Sequence, residues 1–127
     1  MPLEIEAKIK VDSCGPLRGR LRELGAQQQY RTLEVNQIFD TPDQQLFSRG
    51  CGLRIRTCHG EGRVPPATLT FKGPQQTGPM KSREESETVV ADPRAMQSIL
   101  QALGYSPVIT FEKSREEWEL GPVKVQL

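Results

Sequence analysis

From Leu3 to Val11 apolar and charged residues alternate without a break. Leu3, Ile5, Ala7, Ile9 and Val11 fall on one side of an extended chain, and Glu4, Glu6, Lys8 and Lys10 on the other. A period of two predicts a half-buried strand. Gly15-Pro16 then opens a stretch with Leu17, Leu21 and Leu24 at helical spacing, and Gly25 stops it. Proline just inside the start and glycine just past the end is the punctuation of a helix. Strands are expected at 33–40 and 52–58, separated by the turn-forming Asp40-Thr-Pro-Asp43 and Ser48-Arg-Gly-Cys-Gly52. A loop over 59–66 carries Gly60, Gly62, Pro65 and Pro66, and it makes His59 a hairpin-tip residue. A strand over 67–72 and a second loop through Gly73-Pro74 and Gly78-Pro79 to Lys81 follow, the loop's composition suiting a gate over a site. The strand 83–90 leads to a second helix, with Asp92 as N-cap, Pro93 in the first turn and Met96, Ile99, Leu100 and Leu103 on one face. Gly104 ends it, and strands at 108–113, 114–120 and 123–127 complete the chain.

A shift that lays Leu24-Gly25 on Leu103-Gly104 also lays Val11 on Val90 and Glu6 on Glu85. The chain therefore carries a weak repeat of charged strand, helix and strand, too short to prove duplication.

Composition narrows the function classes. The 127 residues suffice for one domain with its own core. Lys plus Arg (17) nearly balances Asp plus Glu (16), so no global field draws the protein to nucleic acid or anionic lipid, and any anion site must come from local clustering. Aromatics are 6% of the chain, too few for a base-stacking surface, so nucleic acid is not the expected partner. Cys14, Cys51 and Cys58 are odd in number and lack C-x-x-C spacing, which argues against a disulfide framework or zinc and suits a reducing, cytoplasmic location. No apolar run is long enough to span a membrane, and no signal peptide is seen. Trp118 and Phe111 read as core or rim, Tyr30 and Tyr105 as packing residues, and Asp40 as a turn cap with a place near the site as its alternative.

The charged strand faces carry the chemistry. Arg54 and Arg56 alternate with Leu53 and Ile55; Lys72 shares a face with Thr68 and Thr70; Arg83 does so with Glu85 and Glu87, and Lys113 and Arg115 with Glu117 and Glu119. A single charged strand face is ordinarily a solvent face. Several with the same mixture point elsewhere, because two apolar helices can cover the apolar side of a curved sheet and leave the charged faces to converge. Clustered cations in a concavity need an anion. Carboxylates such as Glu4 and Glu6 are best satisfied by a hard cation with oxygen ligands, Mg²⁺ or Mn²⁺.

Glu4-Ile-Glu6-Ala-Lys8 resembles the E-x-E-x-K signature of the CYTH superfamily, the triphosphate tunnel metalloenzymes. Phe39-Asp-Thr-Pro-Asp43, Leu53-Arg-Ile-Arg56, Thr70-Phe-Lys-Gly-Pro74, Ser82-Arg-Glu-Glu-Ser-Glu87 and Lys113-Ser-Arg115 follow in that family's order, so the resemblance covers essentially the whole chain. The Lys-Gly-Pro stretch and Lys81-Ser-Arg-Glu-Glu look most like the class IV adenylate cyclase branch. The resemblance implies an α+β fold, an antiparallel barrel of about eight strands enclosing a triphosphate, with flanking helices. It implies phosphate-binding roles for Lys8, Arg54, Arg56, Lys72, Arg83, Lys113 and Arg115. Glu4 and Glu6 become metal ligands, with Glu85 and Glu87 as further acidic ligands, and Glu4, Glu6 and Lys8 are the expected catalytic groups. Family members continue, beyond the strand matching Val123–Leu127, into a second acidic strand; residues 1–127 are accordingly expected to form a single such domain incomplete at its C-terminal wall.

The implied activity is metal-dependent conversion of ATP to cyclic AMP and pyrophosphate. Hydrolysis of inorganic triphosphate or an organic one such as thiamine triphosphate is the alternative, and a non-catalytic nucleotide or polyphosphate binder is a third reading. The expected partner is a nucleoside or inorganic triphosphate; a homodimer is compatible with the sequence.

Overall fold

The structure, a computed structural model, describes residues 7–76 and 82–127. Its elements run α1 (Gly15–Glu23), β1 (Gln27–Asp40), α2 (Gln45–Ser48), β2 (Gly52–Gly62), β3 (Thr68–Gln76), β4 (Ser82–Val89), α3 (Pro93–Ala102), β5 (Ser106–Leu120) and β6 (Val123–Gln126). The strands form one antiparallel sheet in the order β4-β3-β2-β1-β5-β6. The sheet curls into a half-barrel with helices on one side, the α+β tunnel-type architecture expected. Six strands of that barrel lie among the described residues.

Both long helices cover the same face. Leu21 of α1 packs with Ala26 and Trp118, against Leu120, Val125 and Leu127. Leu100 of α3 packs with Phe39 and Ile55, against Leu53, Leu69, Met96 and Tyr105. Asp92 caps α3 as expected, its Oδ1 accepting from the Ala95 amide at 3.1 Å. The predicted helix face is only half used: Met96 and Leu100 meet the core, whereas Ile99 and Leu103 stay exposed. A carboxylate fixes α1 instead of a cap. The Glu116 carboxylate on β5, almost fully buried, accepts from Arg18 Nε at 2.8 and 3.0 Å and from Trp118 Nε1 at 3.2 Å. These hydrogen bonds hold its pKa below the ordinary glutamate value, the Arg18 bond being the largest cause.

Several expectations are corrected. Residues 7–11 are exposed and without regular structure, so the alternation there is not realised as a strand; no described strand offers them the pairing that a strand requires. Residues 1–6 lie outside the described residues. The loop expected over 59–66 starts late, because β2 continues through His59 to Gly62, paired with Leu33 to Tyr30. Glycine permits this. Gly62 has φ +85°, and a Cβ there would lie 2.6 Å from the Gln29 carbonyl oxygen. The strand β3 likewise runs past Lys72 through Pro74 to Gln76, with a bulge between Lys72 and Gln75 where proline costs no ladder hydrogen bond. The gate expected beyond it falls partly on residues 77–81, outside the described residues. The two strands expected at 108–113 and 114–120 are one, β5, paired along nearly all of β1.

Candidate functional site

Register decides what shares the uncovered face. On β1, Thr32, Glu34, Asn36 and Ile38 lie opposite Gly60, Cys58, Arg56 and Arg54 of β2 and opposite Arg115, Lys113, Phe111 and Ile109 of β5. Arg54 and Gly52 lie opposite Thr70 and Lys72 of β3, which face Glu87 and Glu85 of β4. Opposed residues of an antiparallel pair point to the same side. One polar face thus gathers Arg54, Arg56, Lys72, Lys113 and Arg115, with Glu85 and Glu87 along one edge. The convergence expected from the charged strands is present.

The side chains are held unequally. Arg56 Nε donates to Asn36 Oδ1 at 2.8 Å, and its Nη1 lies 3.6 Å from Glu34 Oε2. Arg115 Nε lies 3.5 Å from Glu34 Oε1, while its Nη1 donates to Gln126 Oε1 at 3.1 Å. Arg54 Nη2 donates to Thr70 Oγ1 at 3.4 Å and stands 3.8 Å from Glu87 Oε1, which accepts from the Thr70 hydroxyl at 2.6 Å. Burial and then the neighbouring Arg56 charge lower the Arg54 pKa, with Glu87 and Glu85 opposing them. Lys72 lines a hollow of about 110 Å³ together with Ile38, Gly52, Leu53, Arg54 and Thr70. Neither Lys72 nor Lys113 makes an ion pair among the described residues; the Lys113 ammonium sits 5.7 Å from the centre of the Phe111 ring. Phe111 and Ile109, 38% and 57% exposed, add an apolar strip beside this cationic band.

Two predicted phosphate-binding cations are placed differently. Arg83 is spent on the fold: its Nε donates to the Gly73 carbonyl at 2.7 Å and its Nη2 to the Gly50 carbonyl at 2.8 Å, tying β4 to the bulge in β3 and to the turn before β2. Lys8 lies on the exposed stretch before α1, and among the described residues no hydrogen bond or ion pair ties it to the sheet. Asp40 takes the turn-capping role. Its Oδ1 accepts from the Thr41 and Leu46 amides at 2.7 and 3.0 Å and its Oδ2 from Phe47 at 3.0 Å. Burial pushes its pKa up, but these backbone donors outweigh it and leave the carboxyl below its usual range.

Among the described residues no three of His, Cys, Asp and Glu are grouped closely enough to hold a metal ion. Glu4 and Glu6 lie outside those residues. Glu85 is exposed and makes no ion pair among the described residues, whereas Glu87 gives Oε1 to Thr70 and Arg54. These are carboxylate oxygens, the donor type that a hard divalent cation takes, but two of them on β4 are not a complete set.

Glu34 and Asn36, which the sequence motifs do not mark, form the floor of the face with Thr70, already expected beside Lys72; all three are 3% exposed or less. A signal was available: Glu34 and Asn36 alternate with Leu33 and Val35 in a segment already read as a strand.

The chain matches the model of the CYTH domain over residues 2–127. A protein of Methanocaldococcus jannaschii, provisionally named an adenylate cyclase, is 27% identical over 125 residues, covering 98% of this chain and 69% of that relative. A solved structure from Vibrio parahaemolyticus, provisionally described as an adenylate cyclase, superposes with TM-score 0.73 at 19% identity over 93% of this chain. Another, from Hippeastrum, superposes with TM-score 0.62 at 19% identity over 87% of this chain; it is described as an adenylyl cyclase candidate with a dominant triphosphatase activity. The chain spans 63% of the length of each of these two structures.

Proposed function

Because the chain belongs to the CYTH domain family, whose enzymes bind triphosphates and depend on divalent metal, we propose that its polar face binds a nucleoside triphosphate and converts it in the manner of a class IV adenylate cyclase. One observation carries this reading: Arg54, Arg56, Lys72, Lys113 and Arg115 converge from β2, β3 and β5 onto one face, and neither lysine has a carboxylate partner among the described residues. A polyanion satisfies such a cluster. The apolar strip of Ile38, Ile109 and Phe111 beside it favours a triphosphate with an organic head group over inorganic triphosphate.

In this reading Arg56 and Arg115 present their outer guanidinium nitrogens to phosphate oxygens, while Lys72 and Lys113 act as mobile point charges. Phosphoryl chemistry of this kind depends on positioning and on stabilising charge as it develops. The ribose 3′-hydroxyl attacks the α-phosphorus, the bond to the bridging oxygen of pyrophosphate breaks, and the hydroxyl proton leaves to solvent. Glu4 and Glu6, with Glu85 and Glu87 as further acidic ligands, would hold Mg²⁺ or Mn²⁺, which would supply charge neutralisation on the phosphates. Lys8 joins the phosphate-binding set on this reading. Residues 1–127 on this reading belong to a single domain that lacks its C-terminal acidic strand and works in the cytoplasm, and a homodimer is compatible with the exposed apolar side chains Ile99 and Leu103 of α3. No described helix is long and apolar enough to cross a membrane.

The Hippeastrum neighbour favours a second reading, hydrolysis of the triphosphate by water. A screen of ATP, thiamine triphosphate and inorganic triphosphate with Mg²⁺ or Mn²⁺, resolving cyclic AMP from phosphate, separates the two. Glu4→Gln and Glu6→Gln should each abolish metal-dependent turnover; unchanged turnover rejects these residues as ligands. Calorimetric binding without product over long incubation leaves a non-catalytic binder. Absence of both binding and product overturns the reading of the face.

A further inference from the structure

Three buried side-chain atoms have no hydrogen-bond partner among the described residues: Glu34 Oε1, Asn36 Nδ2 and Arg54 Nε. All three belong to the floor of the polar face. Glu34 is the unexpected member. Its residue is 3% exposed, at the middle of the central strand β1, between Cys58 and Lys113. Its two oxygens reach Arg56 and Arg115 only at 3.6 and 3.5 Å, with no hydrogen bond formed. A buried carboxylate so loosely paired costs stability, and an apolar residue of the same size would serve the fold as well or better. By charge alone it also opposes an anion bound above it.

Its geometry gives it a use. Arg56 is tied at Nε by Asn36 and drawn at Nη1 towards Glu34. Arg115 is drawn at Nε towards the same carboxylate and tied at Nη1 by Gln126. In both guanidinium groups the Nη2 nitrogen is the one left without a partner among the described residues. We propose that Glu34 is a positioning residue: one carboxylate, placed between the strands that carry Arg56 and Arg115, aims both guanidinium groups so that their free ends meet the same bound phosphate chain. It acts through the arginines and does not touch the ligand. Asn36 supports Arg56 from the other side, and its own buried amide nitrogen has no partner among the described residues.

The proposal rests on the triphosphate reading of this face, and the test separates the two. Titration calorimetry with inorganic triphosphate and with ATP, each with Mg²⁺, is run on wild type, Glu34→Gln, Arg56→Ala and the double variant. Glutamine keeps the size but offers one acceptor oxygen, enough for one arginine at a time. Affinity should fall about tenfold in Glu34→Gln, a change of about 1.4 kcal/mol. The same substitution should cost less in the Arg56→Ala background, because one of its two levers is gone. For whichever triphosphate is turned over, KM should rise while kcat stays within about twofold, the mark of lost binding alone. Should Glu34→Gln melt below the assay temperature, Asn36→Ala frees Arg56 from its other tie and carries the same expectation. Unchanged or tighter binding in Glu34→Gln, or a fully additive double variant, overturns the role of Glu34 while wild-type binding stands. Wild type that binds neither triphosphate overturns the reading of the face, and this role with it.

Discussion

Replacing Glu116 by Gln should loosen the attachment of α1 to the sheet, and the size of the effect follows from who is exposed. The Glu116 side chain is 4% exposed and Arg18 is 35% exposed, with Arg18 Nη2 at 2.8 Å from Oε1 and Arg18 Nε at 2.8 and 3.0 Å from the two oxygens. Removing one partner of a fully buried ion pair costs about 3–5 kcal/mol. Arg18 can regain water, so the lower end applies after discounting, about 2–3 kcal/mol. Glutamine also turns an amide donor towards a guanidinium or towards Trp118 Nε1, which has no other partner among the described residues. At about 4 °C per kcal/mol for a chain of this size, the melting temperature should drop by about 8–12 °C. The pH dependence carries the second signature. Glu116 has a folded pKa below its unfolded one, so the folded state binds fewer protons in the window between them. Its contribution is complete above the unfolded value, about 4.3, and is lost as pH falls through the folded one. Urea melts at pH 7 should therefore show the full gap between wild type and variant, and the gap should close on acidification below about pH 4. A gap under about 0.5 kcal/mol at pH 7, or one that widens in acid, would refute the reasoning.

Asp40→Ala removes the acceptor for three backbone amides and should cost about 2 kcal/mol, read by chemical denaturation, with faster hydrogen exchange concentrated at Leu46 and Phe47. Gly62→Ala sets a methyl group against the Gln29 carbonyl at a positive φ; a loss above about 1 kcal/mol is expected, and NMR shifts should move at Gln29 and Tyr30. Arg56→Ala should weaken triphosphate binding by about 10–100-fold, measured by calorimetry, without lowering the melting temperature of the ligand-free protein as far as Glu116→Gln does.

Two period-two alternations on paired strands were legible, whereas the one ending at Val11 was not realised over residues 7–11. Leu53 to Arg56 and Lys113 to Glu119 gave the right faces, and Asp92-Pro93 gave the right helix start. The Gly-rich segment after Cys58 misled because glycine carries two meanings. It marks turns, but in β2 it lets β1 approach closer than a side chain would allow. The break set between Lys113 and Ser114 had no physical counterpart, since no glycine, proline, asparagine or aspartate stands there and β5 runs on. Arg83 and Lys72 look alike in sequence as strand cations. Which of them is spent on carbonyls is fixed by the bulge after Lys72, which no local pattern reveals. Glu116 reads as one more surface charge beside Glu117 and Glu119, and only the arrival of Arg18 from a helix far away in sequence makes it a core residue.

Arg54 carries a different kind of consequence. Its guanidinium gives up hydration, faces the charge of Arg56, and leaves Nε without a partner among the described residues, while Thr70 and Glu87 already satisfy each other. The empty protein is thus held together in spite of this residue. Replacement by Met should raise the melting point of the ligand-free form and weaken its hold on triphosphate, a trade that wild type reverses only when cargo is present. If the polar face holds a triphosphate as proposed, that cargo would act as a cross-brace: it would tie strands whose cations otherwise push apart, and the protein should be sturdiest when the site is full.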